Sequence, residues 1–179
     1  MIILDCETYK NYFLLSMLDT NSGKIKDFEL YDGHPFDAKT VQTILRNHTT
    51  LGFNSSNYDL PVIVAALRGD TNAQIKQLSD DIINAPKVWP VLKEHKINIS
   101  QGFDHIDIMP IPIGQASLKI YGGRLHAPKM QDLPIEPNAL IFPEQRETLR
   151  LYCHNDLQVT RILYEELKPQ IALREQMSK

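Results

Sequence analysis

Met1-Ile2-Ile3-Leu4 is an uncharged apolar run that passes directly into Asp5-Cys6-Glu7, and it predicts an opening strand whose far end carries polar groups. Tyr12 to Leu18 and Lys24 to Tyr31 read as two further strands, joined through the turn-forming Asp19-Thr20-Asn21-Ser22-Gly23. Strands so closely spaced predict an antiparallel meander. Val41, Ile44 and Leu45 then set a helical period over Asp37 to Asn47, and Thr50 to Phe53 returns as a strand. Helices are expected at about 60–68 and 72–84, then a strand near His105 to Met109. Prolines 110, 112, 128, 134, 137 and 143 argue against one regular element across 110–143. From Glu144 to Leu167 the larger apolar positions Leu149, Tyr152, Leu157, Ile162, Leu163 and Leu167 recur at helical spacing. Strands first, then strands alternating with helices, predict an α/β fold: a mixed β-sheet flanked by helices.

Composition narrows this picture only a little. A length of 179 residues suits one domain with a sizeable core, and 42% hydrophobic with 23% charged residues is ordinary for a soluble globular protein. No stretch approaches the roughly eighteen apolar residues of a transmembrane helix, and no basic region precedes the first apolar run as in a secretory signal. The two cysteines, Cys6 and Cys153, lack metal-type spacing, so a reduced cytoplasmic setting is the simplest expectation. No repeat, low-complexity tract or interdomain linker interrupts the chain.

Candidate chemistry begins on the first strand. Residues two apart share a strand face, so Asp5 and Glu7 point together while Cys6 points the other way. Two carboxylates so close repel unless a cation lies between them, and carboxylate oxygens suit hard ions such as Mg²⁺ or Mn²⁺. The triplet alone is weak, since an Asp-x-Glu arises by chance roughly 0.65 times in a chain of this acidity. A second one, Asp27-Phe28-Glu29, lies in a polar, turn-bounded segment and reads as a solvated strand face. Asp59 follows Asn54-Ser55-Ser56-Asn57-Tyr58 near a helix start, with Pro61 fitting the first turn; by itself it is a capping aspartate. Tyr152 and Asp156, four apart, share a helical face; in isolation they are a packing residue and an exposed acid.

In order, these three segments resemble the three motifs of the DEDD superfamily of 3′–5′ exonucleases, in the branch whose last motif carries tyrosine. Asp5 and Glu7 match the first motif, Asn54, Tyr58 and Asp59 the second, and Tyr152 and Asp156 the third. The histidine branch would need histidine at position 151, where this chain has Leu151. His154 has the wrong spacing and reads as a partly exposed helix residue. The resemblance covers residues 1 to about 167, with no departure at a motif position.

That resemblance implies a ribonuclease H-like fold and two-metal hydrolysis of a terminal phosphodiester, using two divalent cations, Mg²⁺ or Mn²⁺. One cation would be held by Asp5, Glu7 and Asp156 and would activate the attacking water. The other, bound by Asp5 and partly through water by Asp59, would stabilise the departing 3′ oxygen. Tyr152 would orient the water. Two such cations bring the formal charge from −3 to +1, easing the conflict with a nucleic-acid partner. The Thr8 backbone, Phe53, Asn54 and Tyr58 are expected at the terminal nucleotide, although Phe53 serves core packing equally well. Residues 110–143 are expected as a substrate-side loop, in which Lys119, Arg124, His126 and Lys129 either meet phosphates or are scattered surface charges. Asp104 and Asp107 are either a second metal pair or a strand end and turn, and Trp89 reads as a packing anchor.

The expected product is a nucleoside 5′-monophosphate, released from the 3′ end of single-stranded DNA. Residues 168–179 resemble the helical junction where a bacteriophage DNA polymerase leaves its N-terminal proofreading domain. The expected partner is accordingly a covalently linked polymerase, in the host cytoplasm if the source is viral. A free-standing DNA or RNA exonuclease is the alternative enzyme. An inactive nucleic-acid-binding or polymerase-docking module is the alternative outside catalysis.

Overall fold

Strand β1 (Ile2–Tyr9) turns through Lys10 and Asn11 into β2 (Tyr12–Asp19), which a second turn connects to β3 (Ile25–Leu30). Both pairings are antiparallel, as the meander predicts. Helix α1 (Ala38–Asn47), whose first turn is capped by the Asp37 carboxylate, leads into the short β4 (Thr50–Gly52). Helices α2 (Asp59–Arg68), α3 (Asn72–Asn84) and α4 (Val88–Glu94) precede β5 (His105–Asp107), and α5 (Leu118–Arg124) follows. A 3-10 turn, Pro143–Gln145, opens the long α6 (Arg146–Met177). This computed structural model describes residues 1–99, 102–111, 116–125, 127 and 132–177. The sheet order is β3-β2-β1-β4-β5, with β4 parallel to β1 and β5 parallel to β4. A mixed five-stranded sheet flanked by helices is the α/β architecture expected, and it is compatible with a ribonuclease H-like fold.

Strand parity divides the core between the two faces of the sheet. Leu4, Cys6, Phe13, Leu15 and Met17 pack with residues of α1 to α4, including Val41, Leu60, Ile63, Ile75 and Leu92. Ile3 and Leu18 on the opposite face meet Tyr121 of α5 and Leu157, Leu163 and Leu167 of α6. Tyr9, Tyr12 and Leu14 meet Leu149 and Cys153 farther along α6. Covered on both sides, β2 buries every residue except Asp19, which is why it reads as a continuous apolar run rather than an alternating one.

Two expectations change and two gain detail. Asp27 and Glu29 are not a solvated face: Ser16 donates to Asp27 at 2.6 Å and His154 Nε2 lies 2.8 Å from it, while Tyr12 donates to Glu29 at 2.5 Å and Arg150 at 2.8 Å. α6 lies over this part of β2 and β3, a tertiary contact that local polarity does not encode. Trp89 is 72% exposed and anchors no core, because the short α4 turns Val91 and Leu92 inward instead. Residues 110–143 are not wholly irregular, since α5 lies within them, capped by the Ser117 hydroxyl. The closing helix runs past Leu167 through Pro169 to Met177, so the described part of the expected tail is continuous with it.

The feature that positions the site is the brevity of β4. It pairs with β1 only at Ile2↔Thr50 and Ile3↔Leu51, leaving the rest of that β1 edge to the turn that follows. Gly52 permits this turn: a Cβ there would lie 2.5 Å from Ser55 Cβ and 2.6 Å from its Oγ. Gly52→Ala should therefore displace the Ser55 turn and cost about 1–3 kcal/mol in urea-induced unfolding. An unchanged midpoint would show that the turn has room to spare.

Candidate metal centre

Because Ile3 and Tyr9 face α5 and α6, the same parity turns Asp5 and Glu7 toward α6. Helix α6 meets them with Tyr152, Cys153 and Asp156. The Cys153 thiol donates to Asp5 Oδ2 at 3.2 Å and lies 3.5 Å from the Asp5 carbonyl oxygen. Asp156 exerts the strongest charge effect on Glu7, and Asp59 the strongest on Asp5, so acids from β1, α2 and α6 converge on one volume. All four expected carboxylates, Asp5, Glu7, Asp59 and Asp156, are thus brought together, with Tyr152 beside Asp156.

Burial dominates their electrostatics. Asp5 and Glu7 are pushed well above the usual carboxylate range, by desolvation first and then by the neighbouring negative charges. Asp59 is pushed up to about 7 by burial, against the opposing pull of its own backbone N–H and that of Cys6. Asp156 also rises through burial, with Asn155 and Tyr152 pulling the other way. Burial and the nearby acids likewise raise the Tyr152 phenol, which keeps its proton at neutral pH. Among the described residues, no lysine, arginine or histidine forms an ion pair with any of the four acids. Asp59 Oδ1 is buried without any hydrogen-bond partner. Oxygen donors arranged so, with uncompensated charge and an orphaned buried atom, fit hard divalent cations.

The turn before α2 delivers Asp59. Asn54 adopts a left-handed backbone (φ 57°), and its carbonyl accepts from the N–H groups of Asn57 and Tyr58 at 3.1 and 3.2 Å. Asp107, opposite Gly52 on β5, accepts from the N–H groups of Asn54 and Ser56 at 2.9 and 3.0 Å. His105 bridges Thr50 and Ser55 at 2.8 and 2.7 Å, and burial lowers its imidazole to about 4, so it is neutral. Asp104 bonds Thr49. Asp104 and Asp107 therefore tie the strand end and turn together, the second of the two readings open in the sequence. Asp59 is the first helical residue rather than a side-chain cap, which corrects its isolated reading; Tyr58 occupies the cap position without a capping bond.

A cavity of about 530 Å³ opens beside Asp5 and Asp59, lined also by Phe53, Asn54, Tyr58, Met109 and Leu118. Phe53 packs edge-on to Tyr121, combining a core contact with a place in the cavity wall. Thr8 does not line this cavity. Its side chain faces α2 and α3, bonding the Tyr58 hydroxyl at 2.8 Å and Ser79 at 2.9 Å. Asn54 accepts from the Asn57 side chain at 2.9 Å. Lys119 is paired with Asp132, and Arg124 lies over the Tyr121 ring. His126 and Lys129 fall outside the described residues.

Sequence reasoning missed the Cys153 contact and the turn-holding role of His105. Helical spacing put Cys153 beside Tyr152, but only the crossing of α6 over β1 shows which acid it meets. Comparison of the chain with known family models, curated proteins and solved structures finds no match.

The displaced acidities predict a pH dependence. Between the usual carboxylate range and about pH 7, folded Asp59 holds a proton that the unfolded chain has released. Its contribution to stability is thus present at low pH and lost as pH rises through that window. His105 acts in the opposite sense, since its folded state resists protonation. Asp59→Asn separates the two. With chelator present, it should gain stability over the parent chain on going from about pH 5 to about pH 8, by on the order of 1–3 kcal/mol in urea unfolding. A difference independent of pH would contradict the raised pKa of Asp59.

Proposed function

We propose that this chain is a metal-dependent 3′–5′ exodeoxyribonuclease of the proofreading type, removing nucleotides from single-stranded DNA ends. The observation that carries the reading is the convergence of buried Asp59 with half-buried Asp5, Glu7 and Asp156 in one cluster, with no cationic side chain paired to them among the described residues and with Tyr152 at its edge. The match of these five residues to the tyrosine-branch motifs supplies the 3′–5′ direction and the DNA substrate.

Asp5, Glu7 and Asp156 supply oxygen donors from β1 and α6, and Asp59 adds one from α2. Together these four acids would hold Mg²⁺ or Mn²⁺, which would supply charge to activate water and stabilise the departing oxygen. Tyr152 keeps its proton, so its hydroxyl orients water as a hydrogen-bonding group instead of acting as the principal base. The cavity beside Asp5 and Asp59 receives the terminal nucleotide, with Phe53 and Leu118 as apolar wall and Asn54 as polar wall. Water adds to phosphorus, the bond to the 3′ oxygen breaks, and the remaining strand regains a 3′ hydroxyl while a nucleoside 5′-monophosphate leaves. A covalently joined polymerase is the partner this activity serves.

Digestion of 5′-labelled single-stranded DNA in Mn²⁺ tests the reading. The expected result is a stepwise ladder from the 3′ end, removed by EDTA, by a 3′ block and by Asp5→Ala. Tyr152→Phe should retain the ladder but lower kcat by no more than about 10²-fold, the low end of proton-transfer effects. Absence of cleavage despite measured Mn²⁺ and DNA binding would move the assignment to a binding or docking module, and cleavage surviving Asp5→Ala would refute the site.

A further inference from the structure

Cys153 is a buried donor at the carboxylate cluster that phosphodiester hydrolysis does not use. It is completely shielded from solvent, and its thiol faces β1 from the turn of α6 between Tyr152 and Asp156. Ser16 also contacts the thiol, and Ser16 is itself fixed by donating to Asp27 at 2.6 Å. Asp5, Glu7 and Cys153 each place one donor atom within 4.8 Å of the others.

The Cys153–Asp5 spacing suits a shared ion. Zinc lies about 2.3 Å from thiolate sulfur and about 2.0–2.2 Å from carboxylate oxygen, so two such ligands on one ion stand roughly 3.1–3.6 Å apart for bond angles from a right angle to tetrahedral. Cys153 Sγ and Asp5 Oδ2 are 3.2 Å apart. An independent observation also points to a cation here. Asp59, only 4% exposed, lines the same cavity as Asp5, and its Oδ1 has no hydrogen-bond partner.

The geometry points to a thiophilic-cation site in which Asp5, Glu7 and Cys153 hold Zn²⁺ or Cd²⁺ through two carboxylates and one thiolate, leaving a fourth position open. On coordination the S–H bond breaks, its proton passes to solvent, and the sulfur lone pair is donated to the ion. Mg²⁺ is too hard to compete for sulfur, so with it Cys153 remains a thiol donating to Asp5. Hard and thiophilic ions therefore occupy this cluster through different donor sets.

The test titrates the chelator-stripped full chain with Cd²⁺ and follows the ultraviolet sulfur-to-cadmium charge-transfer band, with calorimetry to count bound ions. The expected result is a saturable band, lost in Cys153→Ser and retained in Cys6→Ser, while Cys153→Ser still binds Mn²⁺. Because the chain has two cysteines, a band retained in Cys6→Ser isolates Cys153 even if Cys153→Ser fails to fold. The inference is overturned if Cd²⁺ binds without the band, if no Cd²⁺ binds, or if the band survives Cys153→Ser. The inference shares its carboxylates with the exonuclease reading but is read without DNA. Loss of the band beside intact Mn²⁺-dependent cleavage would remove this site alone, whereas a band beside absent cleavage would remove the nuclease reading alone.

Discussion

β4 stops after three residues while its parallel neighbour β1 continues for eight. A central strand cannot leave half of one edge without partners, because buried backbone groups must be satisfied. Here the unpaired edge is filled by the turn from Phe53 to Tyr58 and by Asp59, whose carboxylate lies against the backbone N–H of Cys6. The remaining site architecture depends on that substitution of a turn for a strand. Gly52 lets Ser55 fold back, His105 and Asp107 hold the turn from β5, and Tyr58 locks it to Thr8 and Ser79. Asp59 is delivered to Asp5 from the side, while α6 delivers Asp156 across the face.

The long β1–β2 hairpin is the counterweight. Its eight residue pairs are packed between helices on both faces, so Asp5 and Glu7 cannot swing away from each other to relieve repulsion. Rigid packing around mutually repelling acids stores the conflict locally, and protonation or a cation relieves it. Cation binding at the cluster must then release protons, which couples occupancy to both pH and stability.

Legibility followed the range of the interactions. The strand parity of Asp5 and Glu7, the helix start beside Asp59 and the four-residue spacing of Tyr152 and Asp156 are local periodicities, and the structure has each on the expected element. The turn clamp is not local. Asp107 opposes Gly52 only once β5 has paired with β4, and His105 reaches Ser55 only through the same register. Trp89 misled for a related reason: flanked by Val88 and Pro90 it looks like core, but a helix of seven residues has one inward face, taken by Val91 and Leu92.

The two Asp-x-Glu triplets make the sharpest internal comparison. Both lie on strands, and neither is freely solvated; the side chains of Asp27 and Glu29 are only 22% and 15% exposed. What separates them is their partners. Asp27 has Ser16 and His154, and Glu29 has Tyr12 and Arg150, so each acid of that pair finds hydrogen-bond partners within the chain, and Glu29 a cation as well. Asp5 has a thiol and three other acids, and Glu7 has Asp5, Asp59 and Asp156 beside it. Partial burial alone would therefore nominate both triplets as metal ligands. The unmet demand for positive charge nominates only the first, and that demand arises from where α2 and α6 cross β1, beyond anything the three-residue pattern contains.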